Sequence, residues 1–284
     1  MKTLIFPITI ILAALILPAS EAQVLSIASF NVESDDDTRA ELVAEDLART
    51  PPLHIWALQE VEDQATLDLF TSAISNATGY AYENQLGTTG GEWGDHLAFI
   101  YISGAFSNVT FEELDNVGGY RHPLVMRAMT APVDESSAAR ELVFVNNHFN
   151  RGNETTRRAQ ARNLRDWVAA NPDLALILMG SFNFDYDYRG ARQGGNRAFE
   201  YFSDGGHISW PQHQCIEARN CPGTGSQCNP NYNNMLDFIF LAGRAFDWPA
   251  LTDLAFLEER YCRREAGGYA DHRPVLGQIL LPAD

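Results

Sequence analysis

The sequence predicts an α/β domain of two stacked, mixed β-sheets with helices outside. Short apolar runs of strand character alternate with amphipathic segments of helical period. In the middle of the chain such runs follow one another like hairpin partners, which favours mixed over purely parallel sheets. Residues 23–284 contain no internal repeat and no long linker, as a single large domain would.

The elements follow in order. Residues 1–22, MKTLIFPITIILAALILPASEA, carry a lysine, an apolar core and a small-residue end, so they read as a secretory signal peptide cut before Gln23. The apolar core is short for a membrane span, which needs roughly 20 residues. The mature protein is therefore expected outside the cytoplasm, extracellular or periplasmic, free of the membrane and monomeric. VLSIASFNV reads as a strand ending near Asn31. Glu41–Arg49 reads as a helix with Leu42, Val43 and Leu47 on one side. HIWALQE is a second strand, ending at Glu60, and Gln64–Asn76 a second helix, with Leu67, Phe70 and Ile74 inward. Leu97–Ile102, Leu124–Ala131 and Glu141–Asn147 are strands. Thr155–Ala170 is a helix with Ala159, Leu164 and Trp167 inward and arginines outward. Leu174–Met179, MLDFIFLAG and the stretch after DHRPV complete the strands.

The formal net charge is −17, and Lys2 is the only lysine. A surface this acidic argues against tight, nonspecific binding of nucleic acid, so any basic contact must be local. The arginines of RGNETTRRAQARNLR put Arg158, Arg162 and Arg165 on one helical face, which reads first as a solvated face. Four cysteines, Cys215, Cys221, Cys228 and Cys262, fall in the last third. With a leader present they predict two disulfides, with three pairings open. They are expected to staple the loop from Pro211 to Asn234. No Cys-x-x-Cys occurs, which disfavours zinc.

Polar residues carry the functional signal. Asn31, Glu60, His148, Ser181, Asn183 and Asp237 end, follow or interrupt apolar runs, and Asp271 and His272 precede the last one. An unpaired buried polar group costs about 1–3 kcal/mol, so several at strand ends predict one polar cleft suited to metal and phosphate chemistry. Oxygen donors at Asn31, Glu60 and Asp271 suit a divalent cation, Mg²⁺ first, with Mn²⁺ or Ca²⁺ also fitting. His148 and His272 are the acid–base candidates.

SFNVE, ALQEVE, NNHFN, MGSFNFD, LDFIF and ADHRPV, in this order, resemble the motifs of the endonuclease/exonuclease/phosphatase superfamily, which includes pancreatic-type deoxyribonuclease. The resemblance covers nearly all of residues 23–284. It implies a four-layer α/β sandwich of two packed mixed β-sheets with helices outside. It also implies a metal-dependent phosphoesterase, first of all a nuclease on extracellular DNA or RNA, with nucleic acid as its partner. By the same resemblance Asn31, Glu60 and Asp271 line the metal site. Asp237 orients His272, Asn183 holds the phosphate or the nucleophile, and Arg121 in YRHPL grips phosphate. Asp95 is expected to orient His148. A phosphodiesterase or phosphatase on small or lipid phosphates is the alternative enzyme. A binding protein that has lost turnover is the other.

Two departures stand out. Gly180-Ser181-Phe182-Asn183 replaces the family's usual Gly-Asp-Phe-Asn. Serine cannot accept a proton at neutral pH, so Ser181 weakens the enzyme, or Asp185 or Asp187 substitutes, or the histidines suffice. Glu62 stands near where the pancreatic type carries a DNA-contacting arginine.

Overall fold

The structure is a computed structural model that describes residues 23–33, 38–91, 94–131, 139–189, 193–264 and 267–282. The expected leader, residues 1–22, lies outside the described residues. Among the described residues no helix is long and apolar enough to cross a membrane.

The first sheet is built from β1 (Val24–Asn31), β2 (Ile55–Val61), β3 (Tyr82–Gly90), β4 (His96–Ile102), β11 (Ala250–Leu254) and β12 (Val275–Leu280), in the order β11-β12-β1-β2-β4-β3. The second contains β5 (Phe106–Glu113), β6 (Leu124–Thr130), β7 (Glu141–His148), β8 (Ala175–Tyr186), β9 (Ile208–Ser209) and β10 (Met235–Gly243), in the order β5-β6-β7-β8-β10-β9. Each sheet has one parallel pair, β1 with β2 and β7 with β8, and its other pairs are antiparallel. Each parallel pair is joined through a helix, α1 (Ala40–Ala48) or α3 (Glu154–Ala170), because parallel neighbours need a crossover. The helices α2 (Gln64–Thr78), α4 (Arg197–Ser203) and α5 (Gln214–Glu217) complete the α-helices among the described residues. Two packed mixed six-stranded sheets with helices outside make the four-layer sandwich expected from the sequence.

Strand periodicity sorts the layers. Leu25, Ile27, Ile55 and Ala57 join the core between the sheets. Their alternates Ala28, Phe30, Trp56 and Leu58 join a second core with Val43, Leu47, Phe70 and Ile74 of α1 and α2. Asp63 caps α2 by accepting from Thr66 N–H at 2.8 Å, and Gly79 ends it in the left-handed region. On the second sheet Phe182, Phe184, Phe238 and Phe240 pack with Phe202 of α4, the ring pairs lying 5.0 to 6.2 Å apart. Burying a ring of this kind stabilises by about 1.5–3 kcal/mol. That wall leaves Ser181, Asn183 and Asp237, the alternates in sequence, for the opposite face.

One helix face differs from expectation. Ala159 is exposed, and the buried row of α3 is Arg157, Gln160, Ala161, Leu164 and Val168, with Trp167 half-buried. Arg157 turns inward because it donates to the carbonyls of Asn150 (2.9 Å) and Arg151 (2.8 Å), tying down the loop after β7. The three arginines expected outward are occupied locally. Arg158 lies 3.9 Å from Glu154, Arg162 stacks 3.9 Å from the Tyr201 ring centroid, and Arg165 pairs with Asp166 at 2.7 Å.

Two disulfides form, Cys215–Cys221 and Cys228–Cys262. The first closes a turn inside the Pro211–Asn234 loop. The second ties that loop to the segment before DHRPV, and Arg273, fully buried, donates to Cys262 Sγ at 2.8 Å. Cys228 N–H in turn donates to Asp271 O at 2.5 Å, so the bridge sets the approach of the last motif to the cleft.

Candidate active site

The expected residues meet at the ends of the sandwich's central strands. Asn31, Glu60, His148, Asn183, Asp271 and His272 all line one cleft of about 130 Å³. His272 Nδ1 lies 2.7 Å from Asp237 Oδ2, which sits beneath it at 1 % exposure. His272 Nε2 is 3.6 Å from Asp271 Oδ1. Asn183 is held by donating to Phe149 O at 2.8 Å. Glu60 and Asn183 both have positive φ, +59° and +54°. Non-glycine residues in that region are uncommon and are held there by their surroundings.

Two expected contacts are replaced by others. Asp95 does not orient His148. It pairs with Arg121, and the carboxylate beside His148 Nδ1 is that of Glu60, at 3.4 Å. Arg121 is correspondingly drawn toward acids, with Glu60 Oε1 at 3.5 Å as well as Asp95. Among the described residues the arginine that lines the cleft is Arg151, which pairs with Asp185 at 2.5 Å and stacks 4.3 Å from the Tyr232 ring centroid.

Ser181 is fully buried, and the register places it between His148 on β7 and Asp237 on β10. Its Oγ has no hydrogen-bond partner, and neither has Asp237 Oδ1 or the side-chain amide of Asn147. Most buried polar atoms are satisfied, so the unpartnered Ser181 Oγ beside its register partner Asp237, whose Oδ1 is also unpartnered, suits a longer polar side chain at position 181. Gly180 beside it has φ +150°, and a Cβ there would stand 1.9 Å from Asn147 O, so only glycine fits. Asp185 and Asp187 do not substitute for the missing aspartate. Asp185 accepts from Arg151 and Asn196, Asp187 binds Arg189, and among the described residues neither lines the cleft.

The sequence reading missed Glu33 and Gln227. Glu33 lines the cleft and accepts from Asp271 N–H at 3.1 Å, while the Gln227 amide donates to Asp271 Oδ2. Glu33 was visible in SFNVE, two residues past Asn31. Gln227 carried no signal, because a long loop brings it in.

Electrostatics follow from this crowding of acids. Burial and the Asp271 carboxylate push Glu33 up to about 9. Burial likewise pushes Glu60 up to about 7, against the pull of Arg121 and His272. Burial disfavours a charged His272, but Asp237 and Asp271 outweigh it and raise the imidazole to about 10. His148 is held well below its ordinary value by burial, Arg121 and His272.

The cleft suits a divalent cation by its donor chemistry. Among the described residues no three His, Cys, Asp or Glu side chains form a ready metal cluster. Mg²⁺, however, takes one or two carboxylates and keeps several waters. Glu60, Asp271 and the amide oxygen of Asn31 supply that set, and Asp271 Oδ1 is buried without a hydrogen-bond partner. Glu33 and His272 both bind a proton more tightly in the native state than in the unfolded chain. Without metal, stability is therefore expected to fall as the pH rises from 6.5 towards 9. Melting curves in EDTA across that range should show the fall, and Mg²⁺ or Mn²⁺ should raise Tm most at the alkaline end. A flat Tm in EDTA, untouched by cations, would remove this account.

The sequence of residues 28–257 matches the model of the Endonuclease/Exonuclease/phosphatase family. The chain belongs to that family. Members of the family are hydrolases of phosphoester bonds. No curated protein matches the chain closely enough in sequence to count as a relative. Among solved structures, a family protein from Bacteroides thetaiotaomicron is similar at TM-score 0.65 and 17 % identity, covering 92 % of this chain and 99 % of that one. A mannosyl-6-phosphatase from the same species is similar at TM-score 0.61 and 16 % identity, over 90 % and 100 %. TDP2 of D. rerio, complexed with a single-strand DNA product, is similar at 0.61 and 19 %, over 90 % and 98 %. At these identities the likeness establishes the shared fold.

Proposed function

We propose that this chain is a secreted, divalent-cation-dependent phosphodiesterase acting on extracellular nucleic acid. The observation that carries the reading is a single cleft in which the His272–Asp237 pair faces the oxygen donors Asn31, Glu60 and Asp271. The two disulfides fit secretion. A bound cation would be held by those three donors and would withdraw charge from the phosphate oxygens.

The chain's own residues do the rest. Asp237 fixes the His272 ring so that Nε2 faces the cleft. In the metal-free site the imidazole is protonated at neutral pH, which makes it a charge and proton donor for a phosphate oxygen. It can accept a proton from water only when the carboxylates beside it are shared. His148, kept neutral, offers a hydrogen bond without adding charge. Asn183 presents its amide from within β8, held by its bond to Phe149 O. Arg151, stacked on Tyr232 and paired with Asp185, takes the phosphate-gripping role expected of Arg121, because it lines the cleft and Arg121 does not.

The cleft has room for about four waters at ~30 Å³ each. A phosphoryl group fits there, and the rest of the substrate must lie along the rim, where Tyr232 is 40 % exposed. The second reading, hydrolysis of small phosphate esters, is favoured by the arginines of α3 being occupied in a chain of net charge −17. Plasmid nicking with and without EDTA, beside hydrolysis of bis-p-nitrophenyl and p-nitrophenyl phosphate, separates the two. Nicking that EDTA abolishes supports the first. Turnover of the monoester alone supports the second, and no turnover of any substrate leaves a binding role. Arg151→Ala should raise KM about tenfold or more, since a charge-assisted hydrogen bond contributes about 1.5–3 kcal/mol. Arg121→Ala should disturb the metal dependence more than KM. The reverse pattern would return the phosphate to Arg121.

A further inference from the structure

Asn146 is fully buried on β7, yet its side chain reaches into the opposite sheet. Nδ2 donates to the carbonyls of Leu58 (2.8 Å) and Ala98 (2.9 Å), on β2 and β4. Oδ1 accepts from Gln59 Nε2 at 2.8 Å. Leu58 and Ala98 are the last regular pair before β2 bulges. The next pair is Val61 with His96, so Gln59 and Glu60 together stand against Leu97.

The bulge decides where Glu60 points. In an unbroken strand Glu60 would share a face with Leu58, which packs under the helices. With the extra residue, Val61 joins Leu58 on the helix side. Glu60, at φ +59°, turns into the cleft instead. Nothing in the intrinsic preference of a glutamate holds it there.

We propose that Asn146, oriented by Gln59, is a positioning residue that clamps this bulge from the opposite sheet and so aims Glu60 at the cation. The inference rests on the metal role of Glu60 proposed above. Asn146 precedes His148 by two residues on the same face of β7, so one strand carries both the clamp and an imidazole of the site. The link between the sheets thus enters the geometry of the cleft, although Asn146 does not line it.

The test uses the full chain and Mn²⁺ as probe. Asn146→Leu removes both bonds to the carbonyls along with the bond from Gln59, and Gln59→Met removes the bond that orients the amide together with Gln59's bonds to Ala57 O and Ser29 Oγ, leaving the two carbonyl bonds in place. Loss of a partner that orients a metal ligand typically weakens affinity about 10–100-fold. Asn146→Leu should fall in that range, and Gln59→Met should show a smaller loss of the same kind. In a Glu60→Gln background, Asn146→Leu should add nothing to the loss of Mn²⁺ affinity, because it acts through that side chain. A merely structural role would lower Tm alike in both backgrounds and leave the losses additive. Amide exchange over residues 58–61, read without metal, should quicken in Asn146→Leu while β11 and β12 keep their protection. This last measurement needs neither metal nor turnover, so an inactive wild type with a quickened segment would discard the phosphodiesterase reading and leave the clamp standing. The proposal is overturned by wild-type Mn²⁺ affinity in folded Asn146→Leu, by full additivity with Glu60→Gln, or by unchanged exchange over 58–61. If Asn146→Leu does not fold, Gln59→Met carries the same three measurements.

Discussion

Ser181→Asp is expected to raise the rate of phosphodiester hydrolysis by about 10²–10⁴-fold, the usual range of general acid–base assistance. The frame for the aspartate is already in place. Gly180 keeps the conformation that lets β8 pass Asn147, and Asn183 follows on the same strand, fixed by its bond to Phe149 O. Ser181 Oγ is unpartnered, and so is Oδ1 of Asp237, its register partner on β10. A carboxylate there would stand between His148 and Asp237 in the register, where it could accept a proton from water. Steady-state rates of wild type, Ser181→Asp and Ser181→Ala with bis-p-nitrophenyl phosphate decide the matter. A large gain for aspartate means that the wild type is a weakened enzyme. Equal rates for wild type and alanine, both well above background, mean that Ser181 is a bystander. A lower rate for aspartate means that the new charge crowds the cation. If Ser181→Asp folds, binds metal and still turns nothing over, a binding role replaces hydrolysis.

Glu60→Gln is expected to lower metal-dependent turnover by about 10²–10³-fold, the scale of losing one preorganised electrostatic contact. The fold should survive. Glu60 ends a strand, its neighbours Leu58 and Val61 hold the core, and burial already disfavours its charge. An uncharged amide of the same size removes that cost, so Tm in EDTA should not fall. The rate is to be read at several Mg²⁺ concentrations. A loss that high Mg²⁺ recovers places Glu60 in cation binding. A loss that no concentration recovers places it in the chemistry itself. Full activity in Glu60→Gln, or in excess EDTA, ends the metal account.

The sandwich was legible because its information is local. Strands such as LALILMG and MLDFIF are apolar on both faces, since each sheet is covered by the other and by helices. The helices at 64–78 and 154–170 begin at residues that accept from their own first turn, Asp63 and Asn153. The candidate site was legible for a related reason. Polar residues that end buried strands have little to do in a core, and the sheet order brings those ends together. His272 with Asp237 needed only that the last motif return beside β10.

The errors share a physical origin. Residue order pairs Asp95 with His148, but the Arg121 guanidinium lies within reach and takes it. Apolar character points Ala159 inward, but it is exposed, and the buried Arg157 has carbonyl partners from a loop that periodicity does not see. Gln227 reached Asp271 through a loop held by Cys228–Cys262, a pairing that spacing left open among three.

The layers, the family and the set of polar strand ends are legible in the chain alone, because all of these follow from burial period and from residue types in order. The direction Glu60 faces, the arginine that enters the cleft and the surroundings of Ser181 emerge from the folded chain. Those depend on a one-residue bulge, on competition among charges remote in sequence, and on the fit of side chains from two sheets, none of which is written in any local stretch of the chain.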